Sequence, residues 1–193
     1  MKKILILITF VIVGFNSFGQ SMHGISYSMA LPVGATSDVI GKYQWRGFAL
    51  EGKYFLTDQV TIGWHTGWNT MYDSESGSFT EDTQTRTGTQ YRYLNIWPAL
   101  FTFNYLFGSD GDIQPYLGAG LGTYWIEEKT TMGLFGTEYK TWNFGLAPEV
   151  GVLFPLNLNS NLYINMKYNY GLNGSSDVEN YSYLTFNVGF LWY

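Results

Sequence analysis

Apolar and polar residues alternate at every second position through most of this chain, the period of a strand with two unlike faces. Over 181–193, Leu184, Phe186, Val188, Phe190 and Trp192 share one parity, and Tyr183, Thr185, Asn187, Gly189 and Leu191 the other. Over 160–171, Leu162, Ile164, Met166, Tyr168 and Tyr170 oppose Tyr163, Asn165, Lys167, Asn169 and Gly171. Over 139–154, Trp142, Phe144, Leu146, Val150, Val152 and Phe154 oppose Asn143, Gly145, Ala147, Glu149 and Gly151. The segments 45–56, 59–71 and 113–126 repeat the pattern. Two more strands fit less cleanly: 22–33 alternates weakly, and 89–107 is apolar on both parities with Pro98 inside it, so its facing is left open. These segments predict eight strands.

The connections alternate in length. Thr57-Asp58, 108–112 and 155–159 are short, whereas 73–88, 128–137 and 172–180 are longer and polar. Short turns at one end and long loops at the other, around an even strand count, mark a transmembrane β-barrel. The expected fold is therefore all-β, an eight-stranded antiparallel transmembrane up-and-down β-barrel. In such a barrel bulky apolar residues face lipid and polar ones face the interior. The polar parity here is rich in Gly, Asn and Thr and poor in charge, a poor solvent surface and a good filling for a narrow barrel. Pro98 and Pro148 each remove a ladder donor and are expected at bulges or strand ends.

Residues 1–19 read as a signal peptide, with Lys2 and Lys3, the apolar run Ile4–Phe15, and Ser17-Phe18-Gly19 ahead of the cleavage point. The run is too short to cross a bilayer as a helix. Residues 20–193 form one barrel domain. Removing the leader takes ten basic residues to eight against fifteen acidic ones, a charge of −7. The destination is the outer membrane.

Composition agrees. Aromatics reach 19% and charged residues only 13%, which excludes disorder. The net charge of −5 without a basic run excludes nucleic acid as a partner. With no cysteine there is no disulfide, thiol nucleophile or lipoprotein anchor.

The segments 115–122 (PYLGAGLG), 145–151 (GLAPEVG) and 163–168 (YINMKY) resemble the small OmpA- and OmpX-like outer-membrane barrels, and the leader ending in Phe-Gly-Gln resembles those of the Bacteroidetes type. The resemblance spans residues 20–193. It implies a fold and leaves activity open, since such barrels include structural, adhesive and unassigned members. It also implies a last strand ending in an outward aromatic; here that parity stops at Trp192, one residue before Tyr193.

Glu51, Lys53, His65, Glu149 and Lys167 share the interior parity and are expected to form a polar network that plugs the lumen, because buried charges need partners. His65 lacks a serine two positions away on its face, so no catalytic residue is expected. His23 is read as an exposed residue at the start of the first strand. Arg46 and Arg92, near the loop ends of their strands, are candidate lipopolysaccharide contacts on the lipid-facing side. Asp73, Glu75, Glu81, Asp82, Glu127, Glu128, Asp177 and Glu179 make the loops acidic, with no spacing that calls for a metal. No cofactor is expected. The implied partners are outer-membrane lipids, lipopolysaccharide and, during insertion, the barrel-assembly machinery, around a monomer. The expected role is structural or surface-interacting. The alternatives are a narrow transporter or porin for small or apolar solutes, a lipid A-modifying enzyme, and a secreted ligand-binding barrel.

Overall fold

The computed structural model describes residues 20–81, 84–109, 111–133, 135–172 and 180–193. The expected leader, Asp82, Asp177 and Glu179 lie outside them. Eight strands form one closed antiparallel ring in chain order: β1 (Ser21–Pro32), β2 (Arg46–Phe55), β3 (Val60–Glu81), β4 (Gln84–Leu106), β5 (Gln114–Met132), β6 (Phe135–Asn157), β7 (Ser160–Leu172) and β8 (Tyr181–Trp192). β8 returns to β1, with Phe190 opposite Ile25 and Trp192 opposite His23, so the sheet has no edge within the ring. Trp192 is the last strand residue; the Tyr193 amide beyond it donates to the Asn159 carbonyl at 3.1 Å.

The faces are those of a barrel built for lipid. Phe101, Leu117 and Trp142 point outward at 53%, 54% and 68% exposure, while Lys167, Asn104 and Tyr163 point inward and are fully buried. Glycine makes the inner packing possible. A Cβ at Gly151 would lie 2.6 Å from the Tyr116 ring, and one at Gly145 would lie 2.6 Å from that of Tyr124. Neither tyrosine could stay inside otherwise.

The interior is layered. Near the short turns Met22, Leu106, Tyr116, Leu153, Tyr163 and Leu191 pack together. At the hairpin end a second apolar layer joins Met71, Leu94, Ile96, Leu100, Ile126 and Tyr183. This layer explains why 89–107 is apolar on both parities: Leu94, Ile96 and Leu100 fill it, while Trp97, Phe101 and Phe103 face out. A short helix that the sequence pattern does not predict, α1 (Ala35–Val39), brings Ile40 into the same layer, fully buried. Thr36 Oγ1 accepts from the Ser182 amide at 2.8 Å, fastening this connection to β8.

Two long connections are corrected. Most of 73–88 and 128–137 is strand, not loop: β3 and β4 pair out to Glu81–Gln84, and β5 and β6 to Met132–Phe135. Apolar residues are sparse in these segments, so the alternation that marks a strand disappears. The strand preference of threonine remains, as do cross-strand contacts such as Ser76 Oγ to Thr89 Oγ1 at 2.9 Å. Among the described residues the extensions rise over β3–β6, whereas β1 ends at Pro32 and β2 begins at Arg46, so the wall steps down from β3 to β2 and β1.

The prolines are corrected as well. Pro98 and Pro148 lie inside β4 and β6, away from any bulge or strand end. Pairing lapses beside them, between Thr66–Ala99 and Asn69–Ile96 and between Leu146–Tyr170 and Glu149–Lys167, then resumes in the same register. Thr66 Oγ1 donates to the Pro98 carbonyl at 2.8 Å. The register shift in this sheet falls at Pro155/Asn157.

Candidate functional site

The five interior residues named from parity come together between the two apolar layers. Lys167 Nζ lies 2.9 Å from Glu149 Oε2, and Lys53 Nζ lies 3.8 Å from Glu51 and 3.9 Å from Glu149. His65 Nδ1 is 3.7 Å from Glu51 Oε2. All five side chains are buried. β2 and β6 stand opposite each other in an eight-membered ring, so Lys53 and Glu149 meet across the lumen. Asn104 on β4 completes the contact. With its amide turned to suit its neighbours, Nδ2 donates to Glu149 Oε1 and Oδ1 accepts from Lys53 Nζ at 3.3 Å. The Lys53 ammonium also sits 4.8 Å from the centre of the Tyr116 ring.

Uncharged pairs extend the network through the core. Asn165 Nδ2 donates to Tyr116 Oη at 3.0 Å, Asn187 Nδ2 to Asn165 Oδ1 at 2.6 Å, and Asn69 Nδ2 to Ser28 Oγ at 3.0 Å. Each unites different strands across or around the lumen. Parity marked these asparagines as interior, but only the register shows which strands they join.

No family model and no curated protein sequence matches this chain. Solved structures do. OprG of Pseudomonas aeruginosa superposes with a TM-score of 0.55 at 13% identity, covering 89% of this chain and 94% of that one. Ail, the attachment invasion locus protein of Yersinia pestis, gives 0.55 at 14% identity, over 89% and 96%. The N-terminal β-barrel domain of P. aeruginosa OprF gives 0.51 at 14%, over 89% and 97%. This chain has the small outer-membrane barrel fold.

The outer wall of this outer-membrane barrel fold carries two rows set by register. Phe48, Trp68, Trp97, Trp125 and Trp142 lie side by side on β2 to β6, with Phe48 opposite Trp68, Trp97 opposite Trp125, and Trp125 opposite Trp142. Trp68 and Trp97 stack at 5.6 Å. Two residues nearer the hairpin tips, Arg46, Thr70, Asn95, Glu127 and Lys140 repeat the same register. This second row is wired: Thr70 Oγ1 donates to Asn95 Oδ1 at 2.8 Å, Asn95 Nδ2 to Glu127 Oε2 at 3.3 Å, and Lys140 Nζ lies 3.2 Å from Glu127 Oε1. From Trp97 the outward residues of β4 continue through Phe101 and Phe103 to Tyr105, a rise of about 20 Å for a tilted strand, close to the thickness of a lipid-facing band.

The structure separates the two candidate arginines. Arg46 shares the outward parity of Phe48, is exposed, and has no ion-pair partner among the described residues. Arg92 shares the inward parity of Leu94 and Ile96, donates to Gln90 Oε1 at 2.9 Å and lies 3.8 Å from Glu75. The expectation that Arg92 faces lipid is therefore wrong. With β4 apolar on both sides, its parity could not be read from sequence. The loop carboxylates are engaged too: Asp73 holds Lys42 at 2.6 Å and Glu128 accepts from Tyr181 Oη at 3.1 Å. His23 is half-buried against the edge of Tyr54 at 5.9 Å.

Proposed function

We propose that this protein is exported by a leader over residues 1–19 and serves in the outer membrane as a closed, monomeric barrel with a structural or surface-interaction role. Its hairpin end faces outward and its short turns face the periplasm, the arrangement general to such barrels. The observation that carries the reading is the Lys53–Glu149 contact across the lumen at 3.9 Å, locked by Lys167 on Glu149 and sealed by an apolar layer on either side. An eight-stranded ring is only wide enough to be filled by its own side chains. A passing solute would have to part a buried ion pair and leave its charges unmatched, which is costly. The closed interior leaves the outer surface to act: the tall β3–β6 wall and the belt beneath it. His65 is held on Glu51 inside the barrel with no route to a lipid, which disfavours a lipid-modifying enzyme. The largely apolar outer wall from the aromatic row down to the short turns disfavours a secreted soluble barrel. The ring without edges supports a monomer whose partners are outer-membrane lipids, lipopolysaccharide and, during insertion, the barrel-assembly machinery.

Single-channel conductance of the detergent-refolded protein in a planar bilayer tests this. An inserted barrel, shown by heat-modifiable gel migration, stays electrically silent. Discrete stable openings would overturn the closed lumen and make transport the function. Failure to insert would overturn the membrane reading itself.

A further inference from the structure

We infer that Arg46 and the exposed aromatic residues around it form a docking site for the phosphate of a phosphorylated outer-leaflet glycolipid, at the start of β2 beside the β1–β2 connection. The inference rests on the outer-membrane reading above. Four observations converge. Arg46 lies in the second outer row, one step beyond the aromatic row and about 5 Å higher on a tilted strand, where hydrocarbon gives way to headgroups. It is the end of that row left without a counter-charge: Lys140 at the far end is neutralised by Glu127 and Glu138, and the middle is satisfied by Thr70, Asn95 and Glu127. Its neighbours are apolar and open. Tyr27, Trp45 and Phe48 expose 49%, 62% and 40% of their surfaces, and Tyr43 stacks on Trp45 at 6.1 Å. Finally, the Tyr27 hydroxyl donates to the Trp45 carbonyl, pinning the segment that carries the aromatic pair to β1.

A lone guanidinium amid exposed aromatics is complementary to an amphiphile with an anionic head and acyl chains. The guanidinium can take two phosphate oxygens at once, while Tyr27 and Phe48, facing each other across β1 and β2, lie below it toward the hydrocarbon. The protein as a whole is acidic, so a diffuse electrostatic field would repel such a head. The attraction has to be local. Arg92 takes no part, being turned inward and paired with Glu75.

Binding is read by titrating a diphosphorylated glycolipid of the lipid A type into the detergent-purified protein and following tryptophan fluorescence. Arg46→Gln weakens binding about tenfold, the loss of one charge-assisted contact. Arg46→Lys recovers part of it, and Arg92→Gln leaves it unchanged. The dephosphorylated glycolipid binds wild type and Arg46→Gln alike. Unchanged affinity in a folded Arg46→Gln barrel, or equal loss in Arg92→Gln, would overturn the site. Competition by millimolar inorganic phosphate would reassign it to free phosphate and overturn the lipid commitment. Conductance is silent in every case, so an open channel would count against the closed lumen alone.

Discussion

Lys53 on β2 and Glu149 on β6 meet 3.9 Å apart across the barrel, each already committed to a second partner, Glu51 and Lys167. Two ammonium and two carboxylate groups thus share one buried compartment. Removing one charge leaves the remainder unbalanced. Lys53→Met is expected to destabilise the barrel by about 3–5 kcal/mol in urea unfolding from lipid vesicles. Adding Glu51→Gln restores the count and recovers most of the loss. Additive losses in the double variant would mean that the two groups act independently.

Among the described residues, Ile40 is the one member of the apolar layer from outside the strands, delivered by the turn after α1. Ile40→Ala is expected to loosen residues 33–45 while the barrel stays intact, with a local cost of about 2–4 kcal/mol. Limited proteolysis would show it as faster cleavage between Gly34 and Trp45 with unchanged heat-modifiable migration. A global loss of folded barrel would mean that the layer is essential to the ring.

The aromatic row fixes depth. Single-tryptophan variants that keep Trp97 or Trp125 are expected to give the same shallow quenching by brominated lipids. One keeping Trp64, two outward positions below Trp68 on β3, is expected to quench deeper, about 10 Å further along a tilted strand. Equal depth for Trp64 and Trp97 would place the membrane wrongly.

Lys42 and Asp73 tie the β1–β2 connection to the base of the tall wall. The hydrogen bond and charge of Lys42 hold the Asp73 carboxyl below its usual value, and Asp73 raises Lys42 in turn. Because the folded-state pKa of Asp73 is depressed, the tie is present above the ordinary aspartate pKa near 3.8 and is lost as pH falls through the lower folded value. Lys42→Gln should return the Asp73 titration, followed by carboxyl NMR, toward the ordinary value. An unmoved titration would mean that the pair does not form in solution.

How much of this could be read from the chain alone follows from burial. Where one face meets lipid and the other a packed interior, as at Leu162 to Tyr170, alternation is sharp and gives both strand and facing. Parity alone placed Glu51, Lys53, His65, Glu149 and Lys167 on the inner face. It could not say that Lys53 and Glu149 would touch, since that depends on ring closure and shear. Where both faces are apolar, as at Leu94 to Leu100, facing is lost, and with it the orientation of Arg92. Where both are solvated, as at Ser74 to Gly77, the strand itself looks like a loop. Ile40 escapes the pattern because Val39 and Ile40 stand side by side in a short connection, and two adjacent apolar residues carry no period.

The uneven height of the wall gives the molecule a front and a back. Seen from the side of β3 to β6, it presents a screen that stands about 30 Å above the tryptophan row at β3 and β4 and about 18 Å above it at β5 and β6. Seen from β1 and β2, it steps down to the 33–45 connection, with Arg46, Trp45 and Tyr43 at the foot of the screen. Bodies drifting in the plane of the membrane therefore meet a barrier from one direction and an open shelf from the other. Rotation about the barrel axis, which changes nothing for a symmetric cylinder, decides here what a neighbour can touch.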